Sequence, residues 1–202
     1  MRPTLAAAIL LLAAACRTAA PDVPPTAAAP GDAAAAFAQL EQRMLEGDVD
    51  LTVHGLTTGT LDSNIDATVA IAPPRLQLDV KGVIGGRSAS YFWMDREHRD
   101  PQTVKRAVVI AWLRMGIMHN LVRLLSNQDI DHVEGGIEDV VKVTAVRYDP
   151  ATRTYAFHIL IEGHDLSEAT LQLDAAGRPI HRLQTVHFPN GDMHVEEQYN
   201  WK

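Results

Sequence analysis

The segment that decides the fold is residues 103–126, TVKRAVVIAWLRMGIMHNLVRLLS. Its apolar residues recur at helical spacing, and between Ala107 and Met118 the only charged residue is Arg114. A helix that is apolar on nearly every side has to be buried on most sides, so other elements must enclose it. Gly116 lies in its middle, where glycine costs about 1 kcal/mol relative to alanine and permits a bend or a close contact.

Stretches with strand periodicity lie on both sides of this helix, because apolar and polar residues alternate with a period of two. Four stretches precede it (49–54, 65–71, 76–81 and 89–94), and five follow it (140–148, 154–162, 166–174, 178–188 and 193–199). A shorter amphipathic helix is predicted over residues 32–46, with Asp32 as its cap and Gly47 at its end. Residues 127–137 are predicted to form a loop.

These elements predict an α+β fold over residues 32–202: a curved antiparallel sheet, an incomplete β-barrel of about nine or ten strands, with the two helices on its concave side. Alternation gives each strand one buried and one wet face. A two-sheet sandwich is the alternative, but it would leave the 103–126 helix without enough surface to cover it.

The N-terminal region has the order of an export signal. Arg2 is followed by an apolar run over residues 5–15 and then by Cys16, the only cysteine. The run is too short to span a bilayer. The sequence before Cys16 resembles the bacterial lipobox, which implies that residues 1–15 are a signal peptide and that Cys16 carries fatty-acyl chains such as palmitate. Residues 16–31 are the lipidated cysteine and an Ala/Pro-rich tether predicted to be disordered.

The resemblance to bacterial lipoproteins also implies a location. Arg17 stands where such proteins carry an aspartate for retention at the inner membrane. Its presence favours an anchor in the outer membrane, with the domain facing the periplasm. The formal net charge of −7, with no basic run, argues against nucleic acid as a partner. The sequence contains no recognisable catalytic motif or cofactor site, so we expect a protein that is not an enzyme and needs no cofactor.

The order of elements (helix, meandering strands, helical segment, further strands) resembles the LolA/LolB-type lipoprotein-carrier fold over roughly residues 33–200. This resemblance implies an acyl chain bound in a hydrophobic cavity under a helical lid. The 103–126 helix is then either a displaceable lid or permanent core. The candidate cavity residues are Trp112, Arg114, Met115, Met118, Leu121, Arg182, Phe188, Met193 and Glu197.

A hairpin signal at Asn190-Gly191 sets the predicted register of the last two strands. It places His187 opposite His194, close enough to share a zinc or copper ion, although a solvated polar face is the other interpretation. It also directs Arg182 and Glu197 inward. They lie either at the barrel rim or at a polar end of the cavity that meets a headgroup.

Two functions remain open beside lipid binding. One is a non-catalytic scaffold lipoprotein that binds a protein partner at the cell envelope, and the other is a periplasmic metal-binding module built on His187 and His194.

Overall fold

The computed structural model describes residues 30–73, 75–94, 100–125 and 137–202. The predicted signal peptide, the lipidation at Cys16 and almost all of the tether fall outside these ranges. Leu121 is described only through the backbone of its helix.

Within these ranges, nine strands form one antiparallel sheet in the order β4-β3-β2-β1-β9-β8-β7-β6-β5, with three helices. The elements are α1 (Pro30–Glu46), β1 (Val49–Gly59), β2 (Ser63–Ala72), β3 (Arg75–Ile84), β4 (Arg87–Met94), α2 (Pro101–Leu125), α3 (Ile137–Val140), β5 (Val141–Asp149), β6 (Thr154–Ile161), β7 (His164–Leu173), β8 (Pro179–Phe188) and β9 (Gly191–Trp201). The predicted α+β class, the antiparallel sheet and both long helices are confirmed, whereas the one-turn α3 was not predicted.

The first and last strands of the domain pair in the middle of the sheet. β1 runs antiparallel to β9, with Leu51 opposite Trp201 and Gly55 opposite Glu197. This ladder joins the block β1–β4 to the block β5–β9, and β4 and β5 form the two edges. Among the described residues β4 and β5 do not pair with each other, so the sheet is open.

One face of the sheet, the inner face, carries the buried residues, because the burial of each strand alternates along the chain. In β1, Val49, Leu51 and Val53 are buried while the residues between them are partly exposed. β6 shows the same pattern, and Phe157 and Ile159 lie inside. Residues of α1 and α2 belong to the same hydrophobic core as these strands, so both helices lie against the inner face. The opposite, polar face is the outer face.

Helix α1 covers the β5 side of the inner face. Ala33, Phe37 and Leu40 recur at helical spacing and are buried. The Phe37 ring lies 5.3 Å from that of Tyr155 and 5.0 Å from that of Phe157, centre to centre. Such a buried aromatic residue contributes about 3–5 kcal/mol to the free energy of unfolding.

Helix α2 is two helices joined at a break. Gly116 has φ 75° and ψ 174°, which is not helical, and it separates a first half (residues 101–115) from a second half (residues 117–125). The first half begins at an N-cap, because the Asp100 Oδ2 accepts hydrogen bonds from the Thr103 amide at 2.9 Å and from its hydroxyl at 2.7 Å.

The β8–β9 hairpin differs from the predicted register. Phe188 pairs with Gly191, so the two loop residues are Pro189 and Asn190 rather than Asn190 and Gly191. A fixed proline φ suits the first central position of a turn, and Gly191 adopts φ 127° where β9 begins. The prediction is thus wrong by two residues, and such a shift keeps each side chain on its predicted face.

Candidate functional site

A polar cluster lies on the inner face directly beneath the break in α2. It consists of Arg182 and Gln184 of β8 and of Glu197 and Tyr199 of β9. Arg182 and Glu197 have no exposed surface, and Gln184 and Tyr199 retain only 3% each. Fully buried charges are costly unless they are paired or hydrogen-bonded, so the partners of these two groups define the site.

Arg182 caps the end of the first half of α2. Its guanidinium donates to the carbonyl oxygens of Trp112 at 3.2 Å and Arg114 at 3.3 Å, and also to that of Leu113. The last carbonyls of a helix have no partner within the helix and form the negative end of its dipole, which a cation stabilises. The guanidinium also lies 5.8 Å from the centre of the Phe157 ring.

Glu197 caps the beginning of the second half. Its Oε1 accepts a hydrogen bond from the Met118 amide at 2.6 Å. The first amides of a helix form the positive end of the dipole, so a carboxylate is the matching partner. A cation and an anion on neighbouring strands therefore bind the two helix ends that the break creates.

Tyr199 connects these two charged residues. The Arg182 Nε donates to the Tyr199 hydroxyl at 3.3 Å, and this hydroxyl donates to the Glu197 carboxylate. Burial, followed by the adjacent carboxylate, raises the pKa of Tyr199 well above its ordinary value, so the hydroxyl stays protonated as a donor. Gln184 extends the cluster, since its Nε2 lies 3.1 Å from the Ser167 hydroxyl and 2.9 Å from the His119 Nδ1.

Glycine at position 116 is required by this arrangement. A Cβ atom there would lie 2.9 Å from the Arg182 Cδ and 2.9 Å from both Glu197 carboxylate oxygens. Its φ of 75° also belongs to the region that favours glycine. A second glycine, Gly55 of β1, lies beside Glu197 in the sheet and lets the Met118 side chain approach the strand.

Two predictions about the charged pair need correction. Continued along the hairpin, the predicted His187–His194 pairing puts Gln184 opposite Glu197 and Arg182 opposite Tyr199. In the structure Arg182 pairs with Glu197 and Gln184 with Val195. The alternative that put Arg182 and Glu197 at a wet rim is wrong, because neither is exposed. In this structure they meet the main chain of α2.

The other cavity candidates fall into three groups. The buried ones are Trp112, Met115, Met118 and Met193, all part of the single core. Phe188 is half-buried near the end of β8. The Arg114 side chain lies apart from the polar cluster: it binds Glu41 of α1 at 2.6 and 3.0 Å and the Val141 carbonyl at 2.5 Å. It thereby ties α2 to α1 and β5.

The corrected register separates the two predicted metal ligands. His187 faces Asp192, with its Nδ1 at 2.9 Å from the carboxylate, and His194 faces Thr185 at 3.3 Å from the hydroxyl. The two imidazoles are therefore diagonal neighbours on the exposed outer face instead of direct partners. Within the described ranges no three His, Cys, Asp or Glu side chains come together as a metal-binding group.

Two open hollows, each of about 330 Å³, lie away from the break in α2. One is on the outer face over β1–β3, where the His54–Asp66 pair (3.0 Å) and Lys81 border it. The other lies between α1 and β5, beside Glu41 and Arg114. Neither is beneath the break in α2, whose underside is occupied by the core side chains and the polar cluster.

The role of Tyr199 and the capping function of Arg182 and Glu197 were not predicted from the sequence. The available signal was Gly116: a glycine in a buried helix, together with one inward cation and one inward anion on adjacent strands, indicates a helix break that needs two charged caps.

No protein-family model matches the chain, and no curated protein matches it significantly. The resemblance to lipoprotein carriers therefore remains a prediction from the order of elements. In the part of the chain that the structure describes, none of the helices combines the length and apolarity needed to cross a bilayer.

Proposed function

We propose that this chain is a non-catalytic, outer-membrane-anchored lipoprotein that binds or handles acyl chains between its sheet and α2. The observation that carries the proposal is that α2, interrupted at Gly116, occupies the apolar inner face with side chains such as Trp112 and Met118. A half-barrel curved around α2, with both helices on its concave side, is part of the proposal.

The free-energy cost of freeing part of α2, compared with the gain from burying methylenes, supports a long-chain ligand. Freeing the second half of α2 exposes Ile117 and Met118, at about 1.5–3 kcal/mol for each side chain. It also breaks the Met118–Glu197 hydrogen bond, worth about 1.5–3 kcal/mol because one partner is charged. Each buried methylene returns about 0.8 kcal/mol. A saturated chain of about six to eleven methylenes therefore offsets the cost of exposing Ile117 and Met118 and of losing this hydrogen bond.

The binding experiment uses the full chain with Cys16→Ser, so that no acyl anchor competes for the site. We expect it to bind a hydrophobic fluorophore that palmitate displaces. Met118→Ala creates space over the inner face and should bind the fluorophore more tightly. Leu183→Ala, at an outer-face side chain that is 40% exposed, is the matched control and should not change binding. Absence of binding by both the Cys16→Ser chain and its Met118→Ala derivative would refute the proposal.

The anchor is tested separately by fractionating cells that express the chain. We expect the unaltered protein in the outer-membrane fraction and the Cys16→Ser variant in the soluble periplasmic fraction. Mass spectrometry of the mature N-terminus should find acyl chains on Cys16. An unmodified cysteine, or membrane association that survives the substitution, would contradict lipid anchoring.

The side-chain packing of α2 favours a second function, a scaffold lipoprotein that binds a protein partner at the cell envelope. The first half is buried through Val109, Ile110 and Leu113, and its end is held by Arg182. If α2 is permanent core, neither the Cys16→Ser chain nor its Met118→Ala derivative will bind acyl chains while both stay folded. The same experiment thus separates the two functions.

A further inference from the structure

Four histidines lie on the outer face of three adjacent central strands. They are His54 of β1, His181 and His187 of β8, and His194 of β9. We propose that the outer face of β1–β3, β8 and β9 is a docking surface for an anionic phospholipid bilayer, and that it engages the bilayer at mildly acidic pH. This surface faces away from α2, so the proposal does not depend on acyl binding at the inner face.

Three of the four histidines are paired with carboxylates. The nitrogen-to-oxygen distances are 3.0 Å for His54–Asp66, 3.0 Å for His181–Glu196 and 2.9 Å for His187–Asp192. The Nδ1 of the fourth, His194, lies 3.3 Å from the Thr185 hydroxyl. His194 is exposed, and the other three side chains are 30–49% exposed, so every ring can exchange protons with water.

The sign of the charge on this surface depends on the four imidazoles. Its other charged groups are five carboxylates and three basic side chains: Asp50, Asp66, Asp79, Asp192 and Glu196, against Arg75, Lys81 and Lys202. The surface therefore carries −2 with neutral histidines and +2 with all four protonated. Histidine side chains change charge between pH 5 and 8, whereas carboxylates become neutral only near pH 4. Lowering the pH from 7.5 to 5.5 thus reverses the sign.

The neighbours of His54 and His181 are neutral or negative. Gln198 of β9 lies between the two histidines, opposite His54 in one ladder and His181 in the next. On the other side of His54, Asp66 separates it from Lys81 of β3. Two positive charges can therefore form on this row without lying directly opposite a cation in the described ladders.

The remaining neighbours also tolerate positive charge. A hydrogen bond from His181, helped by the nearby His54, holds the pKa of Glu196 below its ordinary 4.5, so this carboxylate stays ionised at pH 5.5. His187 faces Asp192, and His194 faces a threonine on each neighbouring strand. Protonation of these rings therefore adds charge to the surface without placing two cations opposite each other.

Two apolar side chains favour a bilayer over a soluble polyanion as the partner. Val83 of β3 is 44% exposed and Leu183 of β8 is 40% exposed, and both lie on this face. Apolar side chains enter the interface of a bilayer while neighbouring cations contact its phosphates. Strands lie about 4.8 Å apart, so five of them present a surface about 20 Å wide, which suits an extended partner.

Vesicle co-sedimentation of the full chain carrying Cys16→Ser tests the docking. One set of vesicles contains phosphatidylglycerol and phosphatidylcholine, and the other contains phosphatidylcholine alone. The apolar run at residues 5–15 is the same in every comparison, so the difference between the two sets isolates the effect of charge. We expect the anionic vesicles to bind at least about tenfold more strongly at pH 5.5 than at pH 7.5, and the neutral vesicles to bind equally at both.

Equal binding of the anionic vesicles at the two pH values would overturn the proposal. Binding of soluble polyphosphate at pH 5.5 without binding of anionic vesicles would overturn the bilayer as the partner.

Lysine substitutions localise the effect, because lysine is charged at both pH values. The histidine triple variant combines His54→Lys, His181→Lys and His194→Lys. It should bind anionic vesicles at pH 7.5 at least about tenfold more strongly than the chain carrying only Cys16→Ser. The matched control adds the same charge at exposed positions of α1, on the other side of the sheet: Ala35→Lys, Gln39→Lys and Gln42→Lys.

We expect less than about a twofold gain in the α1 control, since electrostatic attraction to the bilayer falls off within a Debye length of about 8–10 Å. Equal gains in the two triple variants, or no gain in the histidine triple variant, would overturn the assignment of docking to the outer face.

Discussion

Replacing Arg182 with methionine tests whether the buried charge holds α2 in place. The substitution keeps most of the side-chain volume but removes the donors to the carbonyls of Trp112, Leu113 and Arg114. It also leaves Glu197 as an uncompensated buried anion. Breaking a buried charged pair by removing one partner costs about 3–5 kcal/mol, and we expect a loss of this size in the free energy of unfolding.

Urea unfolding measures this loss. The free energy of unfolding falls by about 2 kcal/mol per molar urea, so the midpoint of unfolding should fall by about 1.5–2.5 M. A domain that begins with about 5–15 kcal/mol of stability tolerates this and remains folded for the measurement in most of that range. Arg178→Met is the control, because Arg178 is exposed and pairs with Asp174 at 2.9 Å. An exposed pair of this kind contributes less than about 1 kcal/mol.

A double variant shows whether the destabilisation by Arg182→Met comes from the Glu197 carboxylate that it leaves without a cation. Arg182→Met combined with Glu197→Leu removes both charges, and it should be destabilised by less than the sum of the two single variants. A loss below about 1 kcal/mol for Arg182→Met would refute the capping argument. Strict additivity in the double variant would refute it as well.

Three further predictions follow from other contacts. Gly55→Ala should lower the free energy of unfolding by about 1–3 kcal/mol, since its Cβ would lie 3.0 Å from the Met118 Sδ; a neutral or stabilising result in urea unfolding would contradict this. Hydrogen bonds from Thr103 hold the pKa of Asp100 below its ordinary 3.8. The cap therefore stabilises the folded state fully above pH 3.8, and its contribution is lost as the pH falls through the lowered pKa. Acid unfolding should be steeper in the unaltered chain than in Asp100→Ala, and identical profiles would contradict the cap. Zinc calorimetry should give the same result for the unaltered chain and His194→Ala, because His187 bonds Asp192 and the two histidines do not face each other. A loss of zinc affinity in the variant would contradict this and support a metal site.

The strands and helices could be predicted because their signals are local. Alternation in β2, for example, places Ile65, Ala67 and Val69 on one face, and the structure buries all three. The pairing of β1 with β9 could not be predicted in the same way. Partners in a ladder are chosen by contacts between distant parts of the chain, and several strand orders satisfy the same alternation.

The hairpin register was wrong for a physical reason that the residues contain. Asn190-Gly191 is a common two-residue loop, but the preceding Pro189 competes for the first loop position because its φ is fixed. The change of register by two residues left each side chain on its predicted face of the sheet. Consequently the inward direction of Arg182 and Glu197 was predictable even though their partners were not.

The candidate site was predicted only in its composition. Apolar periodicity indicated that Trp112, Met115 and Met118 would be buried, and they are. Apolar periodicity does not predict where the backbone hydrogen bonds of a helix are interrupted. The break at Gly116 depends on the two charges beneath it, and their effect appears only when helix and sheet are brought together.

The central ladder between β1 and β9 has a consequence for how the domain is made. The strand produced first can complete its place in the sheet only after the strand produced last has emerged. Seven of the eight strand pairings join neighbours along the chain, but the β1–β9 pairing spans the whole domain, so the sheet can be completed only when the whole chain is present. Loss of β9 through early termination would remove the pairing that joins the two blocks. Two partial sheets would remain, with β1 and β8 as unpaired edge strands.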